Sequence, residues 1–241
     1  MAPITKLLAD ALALLRLPSV SINLMHGATQ GNDPFYGELV GKFHRNTQKR
    51  HRKFPLLRQY AHGVALCVMP ADFDAYLAAL ESSARRNFKK SLRNGYTFQR
   101  IAFNEFLGDI AEIRRSTDVR QGAMSRDFLE KEVEPCRDPP SRAEVHDYPY
   151  FGVVKDGKLV AYAGCLVAGE AFVIEQIFGH AAYQSDGIVP MLLIGMAEYA
   201  FAHCPRVRYY VYGTFFGAGP TLRRFKTKFR FLPHRVKWIL G

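Results

Sequence analysis

Apolar residues along this chain recur with two periods, and the period changes mark its elements. From residue 150 onward the pattern is regular. Residues 150–154, 159–167 and 171–179 read as strands, joined by Asp156-Gly157 and Gly169-Glu170, and Asp-Gly is a strong hairpin signal. An apolar helix over 190–202 follows, then a strand rich in aromatic and β-branched residues over 206–212. A short basic helix over 220–229, with Pro220 near its start, precedes a last strand over 231–240. The order is β-β-β-α-β-α-β.

Upstream, residues 60–69 read as a strand and 72–94 as one long helix, opened by Asp72 as N-cap and closed by Asn94-Gly95. A strand is expected over 96–103 and a helix over 104–116. Residues 117–147 are charged and contain prolines, with a short helix around 126–134, and such a loop-rich excursion suits a pocket wall. Residues 18–60 are broken by Gly, Asn and Pro and then turn strongly basic (Lys42 to Lys53), which reads as irregular chain. Residues 1–17 read as an amphipathic helix ended by Pro18.

Composition narrows the function classes. With 48% hydrophobic residues in 241, the chain can bury a full core. No apolar run reaches the roughly 18 residues that span a bilayer, and the N-terminus lacks a signal-peptide pattern. Four scattered cysteines (Cys67, Cys136, Cys165, Cys204) show neither pairing nor metal spacing, so a reducing, cytoplasmic setting without metal is expected. The net charge of +11 is polarised: residues 206–241 hold nine Lys or Arg and no acid, whereas residues 101–205 are net acidic. Such a distribution points to polyanionic ligands, namely coenzyme phosphates, nucleic acid such as tRNA, or an anionic membrane surface, or else to a solvated basic face.

The most telling segment joins the third regular strand to the apolar helix. Gln184-Ser185-Asp186-Gly187-Ile188-Val189 forms a polar turn directly before that helix. Unpaired N–H groups at a helix start, reinforced by the helix dipole, make a cradle for an anion, here a pyrophosphate. The strand that feeds the turn holds a single acid, Glu175, inside Phe172-Val-Ile-Glu-Gln-Ile-Phe178. Burial there raises a carboxyl's pKa into the range of a general base, although the same carboxylate would also serve as a structural partner for an arginine. His180 ends the strand as a second candidate base or a structural histidine. Tyr209, Tyr210 and Tyr212 lie on the neighbouring strand as candidate acids or core aromatics, with Tyr212 taken forward. On the helix over 72–94, Arg86, Lys89, Lys90 and Arg93 share one face, a substrate-binding stripe or a solvated one.

The strand, the Gln184-x-x-Gly187-x-Val189 turn and the helix resemble the GNAT acyltransferase superfamily, and in particular its FemAB-like and BioF2-like branch. Two further segments carry the likeness: Phe225-Lys-Thr-Lys-Phe-Arg-Phe231, and the Arg-rich stretch Ser82 to Gly95 that precedes a strand. Val189 and Arg230 stand where the family pattern has a small residue and a glycine. The likeness covers residues 65–240. It implies an α/β (α+β) fold, a central mixed, mostly antiparallel twisted sheet flanked by helices. Residues 65–241 would form the acyltransferase domain, and residues 1–64 a helical and irregular extension packed on it.

The resemblance also implies chemistry. The backbone of Ile177, Phe178, Gly179 and His180 would bind the pantetheine arm of acyl-CoA (acetyl-CoA or longer) like an added strand. The turn from Gln184 to Val189 would hold its pyrophosphate. Glu175 would act as base, two residues from the usual place but on the same face. Lys226 occupies the position of the usual acid tyrosine and would bind phosphate or steady a developing anion. The leading expectation is an N-acyltransferase that moves an acyl group from acyl-CoA to a small-molecule amine. The FemAB branch offers an aminoacyl-tRNA-dependent transferase as the alternative. A non-catalytic module that binds nucleic acid or a membrane surface is the third.

Overall fold

The computed structural model describes residues 16–29, 31–50, 58, 60–120, 124–216 and 218–241. Nine strands form one sheet: β1 (Ser19–Asn23), β2 (His62–Val68), β3 (Thr97–Ile101), β4 (His146–Asp147), β5 (Tyr150–Lys155), β6 (Lys158–Ala168), β7 (Ala171–Gly179), β8 (Tyr209–Thr214) and β9 (Leu232–Ile239). Their order is β1-β9-β2-β8-β7-β6-β5-β3, with β4 paired to β6 off that path. Only β1–β9 and β7–β8 run parallel, so the sheet is mixed and mostly antiparallel, as expected. The β5–β6 hairpin turns at Asp156 and Gly157, both at positive φ (51° and 78°), the backbone that makes Asp-Gly favourable there.

Helices cover both faces: α1 (Pro34–Thr47), α2 (Phe73–Ala79), α3 (Ser82–Arg93), α4 (Leu107–Arg115), α5 (Arg126–Glu130), α6 (Ile188–His203) and α7 (Pro220–Lys228). Helix α6 is apolar around its whole girth because it is packed on both sides. One side lies on the sheet and the other against α3, and ten of its residues are buried.

Two expectations change. The single helix over 72–94 is two helices, separated at Leu80 and Glu81, whose backbone is extended (ψ 151° and 146°). Tertiary contacts hold the break open. Leu80 is buried, the Arg224 guanidinium bonds both Glu81 carboxylate oxygens, and Arg85 donates to the last carbonyls of α2, at Leu77 and Ala78. Asp72 caps α2 as read, accepting from Ala75 N–H at 2.7 Å.

Residues 18–60 are also more ordered than their composition suggests. β1 adds a parallel strand to β9, and α1 buries Tyr36, Val40, Phe43 and Thr47 along one face. Gly37 and Gly41 weaken the helical signal in the sequence. The helix forms regardless because its other face is buried, and His26 Nε2 bonds Gly37 O at 3.2 Å beside it. The expected helix over residues 1–17 lies outside the described residues save 16 and 17, as does the end of the basic run at 51–53. No described helix is long and apolar enough to cross a membrane.

Candidate functional site

The site grows from a fault in β7. Gly164 pairs with Gln176 and Cys165 with Ile174, so Glu175 is an extra residue, a β-bulge. On the other edge, β7 pairs with β8 at three positions, from Ala171–Tyr209 to Val173–Val211, and no further. Beyond the bulge the two parallel strands part, and Ile174 to Gly179 keep one edge free of β8. A cleft of about 680 Å³ opens there, lined on β7 by Ile174 to Gly179 and elsewhere by Asn87, Arg120, Gln184, Val189, Tyr212 and Phe225, among others.

Strand alternation decides which backbone groups face that cleft. His180 N–H donates to Val160 O at 2.8 Å and His180 O accepts from Tyr183 N–H, so His180 has no backbone group left for an added strand. The alternation of an antiparallel ladder then turns Phe178 to β6 and turns Ile177 and Gly179 outward. An outward bond agrees: Gly179 O accepts from Arg120 Nη1 at 3.0 Å. Of the four backbone positions read from the sequence, Ile177 and Gly179 therefore point their backbone groups to the cleft, while the backbone groups of Phe178 and His180 are taken up elsewhere, although Phe178 still lines the cleft. The Phe178 side chain instead packs on Tyr162 and Phe128 and lies beneath the Arg120 guanidinium. The His180 side chain caps the following turn by accepting from Ala182 N–H. Burial first, and then Lys158, lowers its pKa, consistent with an unprotonated Nδ1 in that role.

The expected cradle is present but confined. Residues Ala181–Asp186 form a 3-10 turn and Gly187, at φ +82°, leads into α6. A β-carbon on Gly187 would lie 2.4 Å from Asn87 O, because α3 packs backbone-close against the turn. From α3, Lys90 donates to Ser185 O and pairs with Asp186, and Ser91 donates to Asp186 O. Tyr96 donates to the Asp186 carboxylate, and this bond, with Lys90, holds that carboxyl below its ordinary pKa. Ser185, Asp186 and Lys90 thus brace the turn from behind. At the start of α6, Pro190 has no amide proton, so the N–H groups of Ile188 and Val189 are what the first turn offers an anion. Gln184 and Asn87 line the cleft beside them. Arg86 and Lys89 are exposed on α3.

Glu175 is solvent-exposed, not buried as the apolar strand suggested. Its side chain lies on the Val173 face of the strand, where the cover over that face ends, whereas Ile174 on the other face is buried. Its carboxylate accepts from the Tyr148 hydroxyl at 2.9 Å. Burial, and next Glu175 itself, push the Tyr148 phenol well above its ordinary pKa, so it remains a donor. Tyr212 lines the cleft from β8, and burial pushes its phenol up to about 12. Lys226 is 3% exposed and does not line the cleft; its Nζ donates to Tyr212 O at 2.7 Å and Thr214 O at 2.8 Å. Burial lowers its pKa to about 8. Lys226 therefore anchors the end of β8, and through it Tyr212. Tyr210 is a core residue whose hydroxyl bonds Leu193 O.

Three residues of the site carried no motif in the sequence: Asn87, Arg120 and Tyr148. Arg120 lies within the loop-rich stretch expected to shape a pocket, which was the one usable signal. Among the described residues no group of His, Cys, Asp and Glu side chains could hold a metal ion.

Residues 117–215 match the model of the Acetyltransferase (GNAT) family. A crystal structure of FemX shares the fold at a TM-score of 0.54, with 13% identity over 71% of this chain and 59% of that one. The C-terminal domain (DUF2156) of a proposed lysylphosphatidylglycerol synthetase from Agrobacterium fabrum aligns at 0.45, with 16% identity over 71% of this chain and 57% of that one. A tandem GNAT protein from the clavulanic acid biosynthesis pathway aligns at 0.43, with 14% identity over 70% and 49%. The chain thus spans less than three fifths of the length of each of these structures. No curated protein matches the chain by sequence.

Proposed function

We propose that this chain, an acyltransferase of the GNAT superfamily, moves an acyl group from acyl-CoA to the amine of a small-molecule acceptor. One observation carries the reading: β7 parts from β8 at a bulge that sets Glu175 beside a cleft with an open backbone edge. An extended pantetheine arm suits the outward groups of Ile177 and the outward N–H of Gly179 as an added strand, the Gly179 carbonyl being held by Arg120. The diphosphate would meet the N–H groups of Ile188 and Val189, with Gln184 and the exposed Arg86 and Lys89 nearby. In this reading the acceptor amine attacks the thioester carbonyl. A C–N bond forms, the C–S bond breaks, Glu175 takes the amine proton, and Tyr212 gives a proton to the leaving thiolate. A phenol with a pKa of about 12 stays protonated at neutral pH and suits that role. The test is calorimetry with acetyl-CoA and longer acyl-CoAs. Saturable binding supports the reading, and no heat with any chain length refutes it.

A specific observation favours a second donor, an aminoacyl-tRNA. Pro190 and the close approach of α3 leave a diphosphate few amides, whereas an aminoacyl ester needs only the edge and the catalytic groups. The bond broken is then C–O, and the leaving group is the ribose hydroxyl. Retention of aminoacyl-tRNA that falls steeply with added salt supports this donor, and no retention at low ionic strength removes it.

A further inference from the structure

A second cavity, of about 240 Å³, meets the donor cleft at Ile174 and Glu175. Its remaining walls are Val173 and four residues outside the family match: Phe43, Asn46 and Thr47 of α1, and Tyr60. We infer that this cavity binds the acceptor, a small primary amine carrying a hydroxyl or similar hydrogen-bonding group. The inference rests on the acyltransferase reading above and names its acceptor.

Charge is the first argument. The chain carries a net +11, yet the only charged side chain lining this cavity among the described residues is the Glu175 carboxylate. A polyanion is disfavoured there and a protonated amine is favoured. One carboxylate oxygen is engaged by Tyr148, and among the described residues no cation pairs with Glu175. Aromatic faces are the second argument. Phe43 and Tyr60 stand edge to face with their ring centres 6.4 Å apart, and aromatic faces attract cations. Burial, and then Glu175, raise the Tyr60 phenol, so it stays neutral beside an arriving ammonium. Polarity is the third. The half-buried Asn46 supplies an amide donor and acceptor at the wall, which matches a hydroxyl rather than a bare alkyl chain. Size is the last. At roughly 30 Å³ per water-sized group, 240 Å³ holds about eight such groups, which admits a small amino alcohol and excludes a folded protein terminus.

Placement completes the case. Glu175 is the extra residue of the bulge and borders both cavities, so an amine seated against Phe43 and Tyr60 lies on the opposite side of Glu175 from the donor arm. The N-terminal extension, not the matched domain, would then set acceptor choice.

The experiment uses the full chain without any donor. Ethanolamine and 3-amino-1-propanol are titrated by calorimetry beside ethylene glycol and 1,3-propanediol. The amines are expected to bind and the matched alcohols not. Glu175→Gln and Asn46→Leu should each weaken amine binding at least tenfold, and Asn46→Trp should abolish it by filling the cavity. Asn46→Ser, a smaller change, is expected to weaken binding several-fold and serves should the larger variants fail to fold. Equal binding of amines and alcohols, no binding of any amine, or indifference to both Asn46→Leu and Asn46→Ser overturns the inference. Amine binding with no turnover from any acyl donor would sink the acyltransferase reading alone. Turnover whose amine KM is unmoved by Asn46→Leu would sink only this one.

Discussion

Lys226 presents a sharply defined physical test. The residue is 3% exposed, and its ammonium meets two backbone carbonyls and the face of Tyr212, with no carboxylate among the described residues paired to it. Desolvation lowers its pKa from an ordinary 10.5 to about 8. Below pH 8 both folded and unfolded chains are protonated here, and the folded state bears the full cost of burying the charge. Between pH 8 and 10.5 the unfolded chain binds more protons than the folded one, so stability rises with pH. With about 1.36 kcal/mol per pKa unit, the gain from pH 7 to pH 10 is about 2.5 kcal/mol. The neutral amine still has two N–H groups for its two carbonyl partners, so the gain is not offset by lost hydrogen bonds. Replacing Lys226 with Met removes the titration and leaves those carbonyls without their donor, at about 1 kcal/mol each. The variant should therefore exceed the parent in stability by about 1.5 kcal/mol at pH 7 and fall about 1 kcal/mol below it at pH 10. Urea unfolding of both proteins at pH 7, 8, 9 and 10 measures this, and the difference between them cancels the titration of every other group. A difference that stays flat within about 0.5 kcal/mol over that range would falsify the buried, unpaired state of Lys226.

Other positions carry simpler expectations. Arg230 holds φ +64° at the end of α7, where Arg230 N–H bonds Thr227 O and Phe231 N–H bonds Lys226 O, the paired bonds of a Schellman cap. Arg230→Gly should therefore stabilise the protein by roughly 0.5–1 kcal/mol in the same urea assay, and a loss of stability would contradict this. Gly187→Ala combines positive φ with a 2.4 Å clash on Asn87 O and should destabilise by about 1–3 kcal/mol, seen as a lowered Tm. Glu175→Gln should lower turnover by roughly 10²–10⁴ while leaving Tm within a degree or two, since the side chain is exposed; a large fall in Tm would mark a structural carboxylate instead. Tyr148→Phe removes the only hydroxyl seen on that carboxylate, and a shifted pH profile of turnover, with Tm held, would identify a positioning role.

Much of the fold was legible because its signals are local. The Asp156-Gly157 hairpin, the Asp72 cap and the strand bounds of β7 need only neighbouring residues, and all three stand as read. The failures share the opposite character. The break at Leu80 is held by Arg224, more than 140 residues away, and α1 forms despite Gly37 and Gly41 because its Tyr36, Val40, Phe43 and Thr47 face is buried against β4 and β9. Neither cause is visible within a sequence window. The site divides in the same way. Glu175 and the cradle turn stood out by composition, whereas Tyr148, Asn87 and Arg120 come to the cleft from separate elements.

The end of burial at Glu175 is the deepest of these gaps. Residues 171–174 are buried on both faces of the sheet and Glu175 is exposed, so a strand read as buried along its whole apolar run buries this carboxylate wrongly. The same extra residue ends pairing with β8 and frees the edge on which the proposed donor would lie. A variant lacking residue 175 should therefore restore regular pairing, close the gap between β7 and β8 and lose donor binding altogether. Glu175→Gln keeps the bulge and should retain donor affinity within a few-fold. Calorimetry on the two variants separates the shape of the strand from the charge upon it, and equal loss of donor affinity in both would mean that the carboxylate, not the bulge, makes the site.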